Sequence, residues 1–275
     1  CDSTVGLVVG MVVSGPNIPA GAFVSSITNA TTFVINTAAT GTAAGQTLAV
    51  STTLSADAVA GARQITVHQH NTAGNLIIQP AITNNSTGTN SLSKSGEGTV
   101  ILLGANTYTN GTYVNEGTLQ IGSGGTLNAA PGINGVVQVN GTLILDASGT
   151  ETRLASNGNL RGDGTLTLAT TNTRSWLLGG DNGGFGGRIN ILGGKLALDT
   201  NPGDTNDSGF GGSRSSIFVG DEGTIEMRFS NTTAGDVENG VSPPITLRGK
   251  FRADWLGNTT TNGAAIPRVS GPITI

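Results

Sequence analysis

Short runs of β-branched and aliphatic residues recur along the whole chain, each bounded by Gly, Asn, Pro or Asp. Runs of this kind predict β-strands, and no segment of useful length repeats apolar residues at helical spacing. The clearest strand candidates are residues 23–27, 33–35, 64–69, 99–103, 136–139 and 142–145. The pattern therefore predicts an all-β chain.

A glycine followed by Thr or Lys and then by an apolar residue opens a strand candidate again and again. The glycines are Gly98, Gly117, Gly125, Gly141, Gly164, Gly194, Gly223 and Gly249. Their uneven spacing is typical of solenoid coils whose loops differ in length. Such coils stack about 4.8 Å apart and share a core that no single coil could bury. We predict a right-handed parallel β-helix over residues 51–275, which we expect to continue beyond residue 275.

Residues 1–50 follow a different pattern. A Pro-Asn-Ile-Pro-Ala-Gly stretch at residues 16–21 predicts a rigid turn, and strand candidates at 23–27 and 31–35 follow it. This segment resembles a short β module that recurs in bacterial surface and phage structural proteins and that usually begins one strand earlier. We therefore predict that a small β module, truncated at its start, precedes the β-helix.

Residues 92–121 carry a denser motif. It reads Lys-x-Gly-x-Gly-x-apolar, then Gly-x-Asn-x-Tyr-x-x-Gly-Thr, then Gly-x-Leu, and its members are Lys94, Gly96, Gly98, Gly104, Asn106, Tyr108, Gly111, Thr112, Gly117 and Leu119. The unit resembles the autotransporter-associated β-strand repeat, or passenger-associated transport repeat. Weaker copies occupy residues 185–196, which lack the Tyr, and 210–225. The resemblance implies a β-helical passenger region of a large exported protein, and by itself it implies no activity.

Composition and charge narrow the function classes. Only 11% of residues are charged and 44 are glycine, with a net charge of −4, so the chain lacks the basic footprint of a nucleic-acid-binding protein. No apolar stretch is long enough to span a bilayer, and Val5–Val13 lacks the basic flank of a signal peptide. Cys1 is the only cysteine, which excludes an internal disulfide. It is either the lipid-bearing first residue of a mature lipoprotein or the start of a fragment of a longer chain.

Two segments are candidates for metal binding. The sequence from Asp204 to Gly209 places oxygen ligands at Asp204, Asn206 and Ser208, with glycine at the sixth position as in a calcium loop. The twelfth position is Ser215 and not Glu, so an EF-hand is not supported. The alternatives are a calcium loop completed by Asp221 or Glu222 and an Asx-rich turn without metal. No other cofactor is indicated.

The two histidines, His68 and His70, share one face of a predicted strand. This arrangement is either half of a metal site or part of a polar outward face, because no third ligand is signalled nearby. An outward face is the simpler interpretation.

The sequence contains no complete catalytic motif. Glycan-cleaving β-helices place carboxylates, often with Arg or Lys, across neighbouring coils. The acidic residues available in loop-like stretches are Asp204, Asp207, Asp221, Glu222, Asp236 and Glu238, and solvated loop charge is the alternative for all of them. The aromatic residues available for stacking on sugars are Trp176, Trp255, Tyr108 and Tyr113.

Taken together, these patterns favour a structural, non-enzymatic segment of a secreted bacterial surface protein. It would form the β-solenoid shaft of an adhesin, an extracellular fibre or a surface layer. Its expected partners are other copies of itself, joined head to tail, or flanking segments of the same long chain, and surface glycans are a further candidate. The alternative is a polysaccharide-degrading or glycan-binding β-helix protein.

Overall fold

The computed structural model describes residues 7, 9, 11–19, 22–41, 48–51, 53–56, 60–124, 135–154, 160–179, 182–200, 214–229, 239–241, 243–255, 267–269 and 272–275. Their regular structure consists of β-strands, with no helix among them. Accordingly, this part of the chain contains no helix that could cross a membrane. The chain divides into two units, Cys1–Leu54 and Ser55–Ile275.

The first unit is a small antiparallel β module. Its strands are β1 (Val12–Ser14), β2 (Val24–Asn29), β3 (Thr32–Ile35), β4 (Ala49–Ser51) and β5 (Thr53–Leu54). β1 pairs with β4, and β2 pairs with β3 as a hairpin, both antiparallel. The hairpin matches the two strand candidates that follow the Pro-Asn-Ile-Pro turn. Among the described residues of this unit, the buried apolar side chains are Val13, Ala22 and Val24.

The second unit is a solenoid of parallel strands. Its first half contains β6 (Arg63–His68), β7 (Leu76–Ile78), β8 (Ala81–Ile82), β9 (Asn90–Ser95), β10 (Thr99–Leu102), β11 (Thr112–Val114), β12 (Thr118–Ile121), β13 (Val137–Val139), β14 (Thr142–Leu145) and β15 (Thr152–Arg153). The remaining strands are β16 (Leu160–Arg161), β17 (Thr165–Leu168), β18 (Ser175–Gly179), β19 (Arg188–Thr200), β20 (Ser216–Phe229), β21 (Asn239–Val241), β22 (Ile245–Leu247), β23 (Lys250–Trp255), β24 (Pro267–Val269) and β25 (Ile273–Thr274).

Among the described residues, three long parallel ladders form faces of the solenoid, and β21 and β24 form a separate parallel pair. The first runs β7-β10-β12-β14-β17-β19-β20-β22-β25, and the second runs β6-β9-β11-β13-β16. The third joins β15 and β18 to the later parts of β19, β20 and β23. Because each neighbour in a ladder comes from the next pass of the chain, the strands wind as stacked coils. The predicted all-β solenoid preceded by a small β module is confirmed.

The core is a set of aliphatic columns that run through the stack. In the first ladder, every second residue points inward, and one inward column places the same buried position on seven successive coils: Val100, Leu119, Leu143, Leu166, Ile189, Ile217 and Ile245. Each of these residues is at most 2% exposed. The chain length between successive members ranges from 19 residues (Val100 to Leu119) to 28 (Ile189 to Ile217). Loops therefore absorb the variation, and the register of the core stays constant.

The glycine repeat belongs to two different corners of this solenoid. Gly98, Gly117, Gly141 and Gly164 precede strands of the first ladder, whereas Gly194, Gly223 and Gly249 lie in or before strands of the third. The continuation of the first set is Gly187-Arg188-Ile189, which the sequence motif did not include. Treating all these glycines as one series was therefore wrong. The physical reason is that β19 and β20 continue through a corner, with a register shift after Ile191.

Candidate functional site

The candidate calcium ligands Asp204, Asn206 and Ser208 lie outside the described residues, as do Asp207, Asp236 and Glu238. Asp221 and Glu222 are exposed on β20. In the part of the chain that the structure describes, no three His, Cys, Asp or Glu side chains come close enough to hold a metal ion. The calcium loop therefore remains a prediction from the sequence.

The aromatic residues proposed for sugar stacking are mostly inside. Trp176 and Tyr108 have no exposed surface, and Tyr113 is half-buried on the outer side of β11. The side chain of Trp255 lies outside the described set. Because sugar binding requires exposed rings, Trp176 and Tyr108 serve the core and not a glycan surface.

The Lys94 side chain lies inside the solenoid, at the first turn of the transport-repeat motif. Lys94 is fully buried and pairs in register with Val67 and Val114. Its ammonium group donates hydrogen bonds to the carbonyl oxygens of Ser95 (3.2 Å), Gly96 (2.5 Å) and Glu116 (2.9 Å). Burial lowers the pKa of Lys94, and the nearby Glu116 carboxylate partly offsets that effect. The lysine ties two successive coils together through their backbones.

The Glu116 carboxylate completes this joint, since it accepts a hydrogen bond from the Gly96 amide at 3.0 Å. Gly96 and Glu116 belong to successive coils. The Lys94 side chain of the first coil bonds to the backbone of the second, and the Glu116 side chain of the second coil bonds to the backbone of the first. Glu116 is not part of the sequence motif. No signal in the sequence distinguishes it from an ordinary exposed glutamate in a turn.

Asn106 and Tyr108 hold the bend that follows β10. Asn106 is buried, and its side-chain oxygen accepts a hydrogen bond from the backbone amide of Ile82 on the preceding coil at 2.8 Å. The Tyr108 and Thr112 hydroxyl groups are 2.7 Å apart and share a hydrogen bond. Burial raises the pKa of Tyr108 to about 12, with the Thr112 hydrogen bond acting in the opposite direction. Asn106 therefore satisfies the buried Ile82 amide, and the Tyr108 and Thr112 hydroxyl groups satisfy each other.

A second bend of this kind follows β17. Residues 164–174 align with residues 98–108 without a gap, and they repeat the initial Gly-Thr and the Asn-Thr pair eight residues later. Asn172 occupies the place of Asn106, and its side-chain oxygen accepts hydrogen bonds from the Ala147 amide (3.2 Å) and the Trp176 indole (3.1 Å). Arg174 replaces the tyrosine, is fully buried, and donates to the Ser148 and Thr150 carbonyl groups.

The sequence motif does not reveal this copy, because Arg174 stands where the motif has its tyrosine. The Asn-Thr pair at a fixed distance from the glycine is the signal that could have found it.

The glycine corner between the second and first ladders leaves no room for side chains. A Cβ atom at Gly117, Gly141, Gly164 or Gly187 would come closer than 3.0 Å to a glycine carbonyl oxygen on the preceding coil. That carbonyl oxygen belongs to Gly96, Gly117, Gly141 or Gly164, respectively. The repeat is therefore a column of close backbone contacts, and it fixes the stacking distance.

One cluster of charges crosses adjacent coils on the third ladder. The Lys195 ammonium group is 2.8 Å from the Glu226 carboxylate, and Glu226 pairs in register with Arg252. A carboxylate beside cations on neighbouring coils is the arrangement that an enzymatic function would require. Glu226, however, is only 1% exposed and Lys195 is 23% exposed. A general acid or base must reach its substrate, so the geometry favours an ion pair that joins two coils.

Comparisons with known proteins agree with this architecture. Residues 92–121 match the passenger-associated-transport-repeat family. The chain is 34% identical over 144 residues to the Adhesin BmaC autotransporter of Brucella suis biovar 1 (strain 1330), and the matched region covers 46% of this chain. It covers only 4% of that protein, so the chain spans a small part of its relative's length. No solved structure matches the chain significantly.

These observations define the class of protein: an all-β solenoid built from stacked parallel coils. Within it, residues 92–121 match the passenger-associated-transport-repeat family, and the fold shows the contacts that the Lys, Gly, Asn and Tyr residues of this segment make.

Proposed function

We propose that this chain is a shaft segment in the passenger region of a large secreted or surface-exposed bacterial protein, either an adhesin or an extracellular fibre. The observation that carries the proposal is the unbroken inward column from Val100 to Ile245, which seven coils share. The transport repeat and the similarity to an adhesin autotransporter support the same assignment. Each coil is stabilised by its neighbours, so the structure can propagate along a chain outside the cell without an energy source.

The distribution of polar groups supports a structural role over catalysis. The buried side chains of Lys94 and Asn106 bond to backbone groups, and the buried Tyr108 hydroxyl bonds to the Thr112 hydroxyl. The ion pair of Lys195 and Glu226 is closed to large ligands by burial. The function that these groups serve is the fixed spacing of coils.

The two outermost strands of the first ladder support an extension of this proposal. Leu76 and Ile77 on β7 are 38% and 52% exposed, and Ile273 on β25 is 48% exposed. Leu76 and Ile273 lie in the same inward column as Val100. Open strand edges with exposed aliphatic residues tend to pair with further strands. We therefore propose that further coils, from the same long chain or from another copy head to tail, cover these edges.

Surface location is the first test. Antibodies raised against the folded chain should label intact cells of the source bacterium as strongly as permeabilised cells, and external protease should remove the label. Labelling that requires permeabilisation would contradict the proposal. An unrelated cytoplasmic protein of the same cells is the control for membrane integrity.

The binding role is tested separately with the purified chain. If the chain is a shaft, it should neither bind nor cleave any member of a panel of host and bacterial polysaccharides. A distal part of the parent protein should do the binding. Saturable binding that is lost on substitution of the half-buried Tyr113 would instead favour the glycan-binding alternative.

A further inference from the structure

His68 and His70 form an isolated pair of imidazoles on the outer side of the solenoid. Both side chains are exposed, at the end of β6 and two residues beyond it. Their rings are parallel within 5°, with centroids 6.4 Å apart. Among the described residues, neither ring makes a hydrogen bond or an ion pair. All four ring nitrogens are therefore available to a ligand.

The strand that carries this pair is held in place. His68 pairs in register with Ser95 on β9, and the Gln69 amide donates a hydrogen bond to the Ser95 carbonyl oxygen at 3.0 Å. The backbone between the two histidines is therefore anchored to the next coil. Only side-chain rotations are needed to bring the two rings to a common point, which keeps the ordering cost of a chelate low.

We propose that His68 and His70 form a binding site for a borderline divalent transition-metal cation, with Zn²⁺, Ni²⁺ and Cu²⁺ as the chemical class. Neutral imidazole is the commonest protein ligand for these ions. Residues i and i+2 of a strand project to the same side, so the pair supplies two ligands and water completes the coordination sphere. This inference is independent of the shaft function, and it assigns chemistry to a pair that the coil scaffold does not use.

The chain offers a rescue variant as well as a loss variant. Thr66 is exposed on the same face of β6, two residues before His68. The variant His70→Gln keeps one imidazole, and the double variant His70→Gln/Thr66→His restores a same-face pair one step along the strand. A structural role of His70 would not be rescued by a histidine at position 66.

The test is isothermal titration of ZnCl₂, and separately NiCl₂, into the untagged full chain at pH 7.5. We expect one cation per chain. His68→Gln and His70→Gln should each weaken binding by about tenfold or more, because the second ligand in a chelate acts at a high effective concentration. The double variant His70→Gln/Thr66→His should recover most of the affinity. Circular dichroism of each variant confirms that the fold is retained.

Three outcomes of the Zn²⁺ and Ni²⁺ titrations would overturn the proposal. They are the absence of saturable Zn²⁺ or Ni²⁺ binding, an affinity that both single substitutions leave unchanged, and loss of binding that the Thr66→His rescue fails to restore. An excess of CaCl₂ should leave Zn²⁺ affinity unchanged, since Ca²⁺ takes oxygen ligands. Displacement of Zn²⁺ by CaCl₂ would also contradict ligation by imidazole.

Discussion

At the scale of single residues, glycine has two separate tasks in this solenoid. Gly117 has a φ of +62°, a conformation that strains residues with a side chain. It also lies so close to the carbonyl oxygen of Gly96 that a Cβ atom has no space. Gly124 has almost the same φ, +61°, but nothing within 4 Å of its Cβ position. Comparing substitutions at Gly124 and Gly117 therefore separates the cost of backbone strain from the cost of close packing.

We expect Gly124→Ala to lower the free energy of unfolding by about 1 kcal/mol, the usual cost of strain at positive φ. Gly117→Ala should cost roughly 3 kcal/mol or more, because the added methyl group also forces the coils apart. Urea denaturation followed by circular dichroism measures both values. Equal losses for the two variants would show that coil contact at Gly117 is unimportant.

Ionisation of Tyr108 should make the free energy of unfolding depend on pH in the alkaline range. The pKa of Tyr108 is about 12 in the folded chain, against 10.0 for an ordinary tyrosine. A group with a raised folded pKa contributes stability that is complete below the unfolded pKa and is lost as pH rises through the folded value. The free energy of unfolding should therefore fall between pH 10 and 12, by up to about 2–3 kcal/mol.

Tyr108→Phe removes this ionisation, so its stability should change much less over the same pH interval. Tyr113→Phe should keep the decline of the unsubstituted chain and serves as the control. Urea midpoints at pH 9 and pH 11.5 make the comparison. If Tyr108→Phe loses stability as steeply as the unsubstituted chain, Tyr108 is not the group responsible.

At the scale of elements, alternation along each strand decides which residues contribute to stability. In β14, Leu143 and Leu145 are fully buried, whereas Thr142 and Ile144 face outward and are half-buried. Leu143 lies between Leu119 and Leu166 in the inward column. A gap at this position therefore interrupts contacts with two neighbouring coils.

Leu143→Ala should destabilise the chain by about 2–5 kcal/mol, the range for a buried leucine whose cavity cannot collapse. The adjacent Ile144→Ala should cost about 1 kcal/mol or less, because Ile144 retains contact with water. Thermal unfolding of both variants by calorimetry provides the check. A larger loss for Ile144→Ala would reverse the assignment of the inner and outer faces.

The elements were predictable where the sequence repeats itself. The candidates at 64–69, 99–103 and 142–145 coincide with β6, β10 and β14 within one residue at either end, because short β-branched runs between turn residues have few other solutions. The third ladder was harder to foresee, since β19 and β20 each serve two faces in one continuous strand. Local periodicity does not show where a long strand passes a corner.

The candidate site was less predictable than the fold. Lys94 and Asn106 were recognised as motif members, but their partners, Glu116 for Lys94 and Ile82 for Asn106, come from neighbouring coils. Arg174 was missed because it replaces the tyrosine of the motif and keeps the buried position. Contacts between coils depend on the register in which the coils stack. Loop lengths can be read from the sequence, but the register that they produce cannot.

At the scale of the whole molecule, the main feature of the described solenoid is the repetition of its coils. Nine strands of the first ladder stack in order, so at about 4.8 Å per step the ladder measures roughly 40 Å. The matched region covers 4% of the adhesin relative. In the function that we propose, such a segment supplies length and regular spacing, and the binding role of the parent protein lies elsewhere along it.

The central claim is that successive coils lie in register at a constant spacing, whatever the length of the loop between them. Thr99, Arg188 and Ser216 lie in one outward column of the first ladder, with Arg188 four coils and Ser216 five coils from Thr99. Spin labels at cysteines introduced in the pairs 99/188 and 99/216, in a chain carrying Cys1→Ser, allow these separations to be measured by pulsed electron paramagnetic resonance.

Stacked coils predict backbone separations of about 19 Å and about 24 Å, that is, one further step of about 5 Å for the 28 residues from 188 to 216. A separation that shortens between the two pairs, as in a closed barrel, or that grows by several steps would contradict the stacked-coil account and the shaft function built on it.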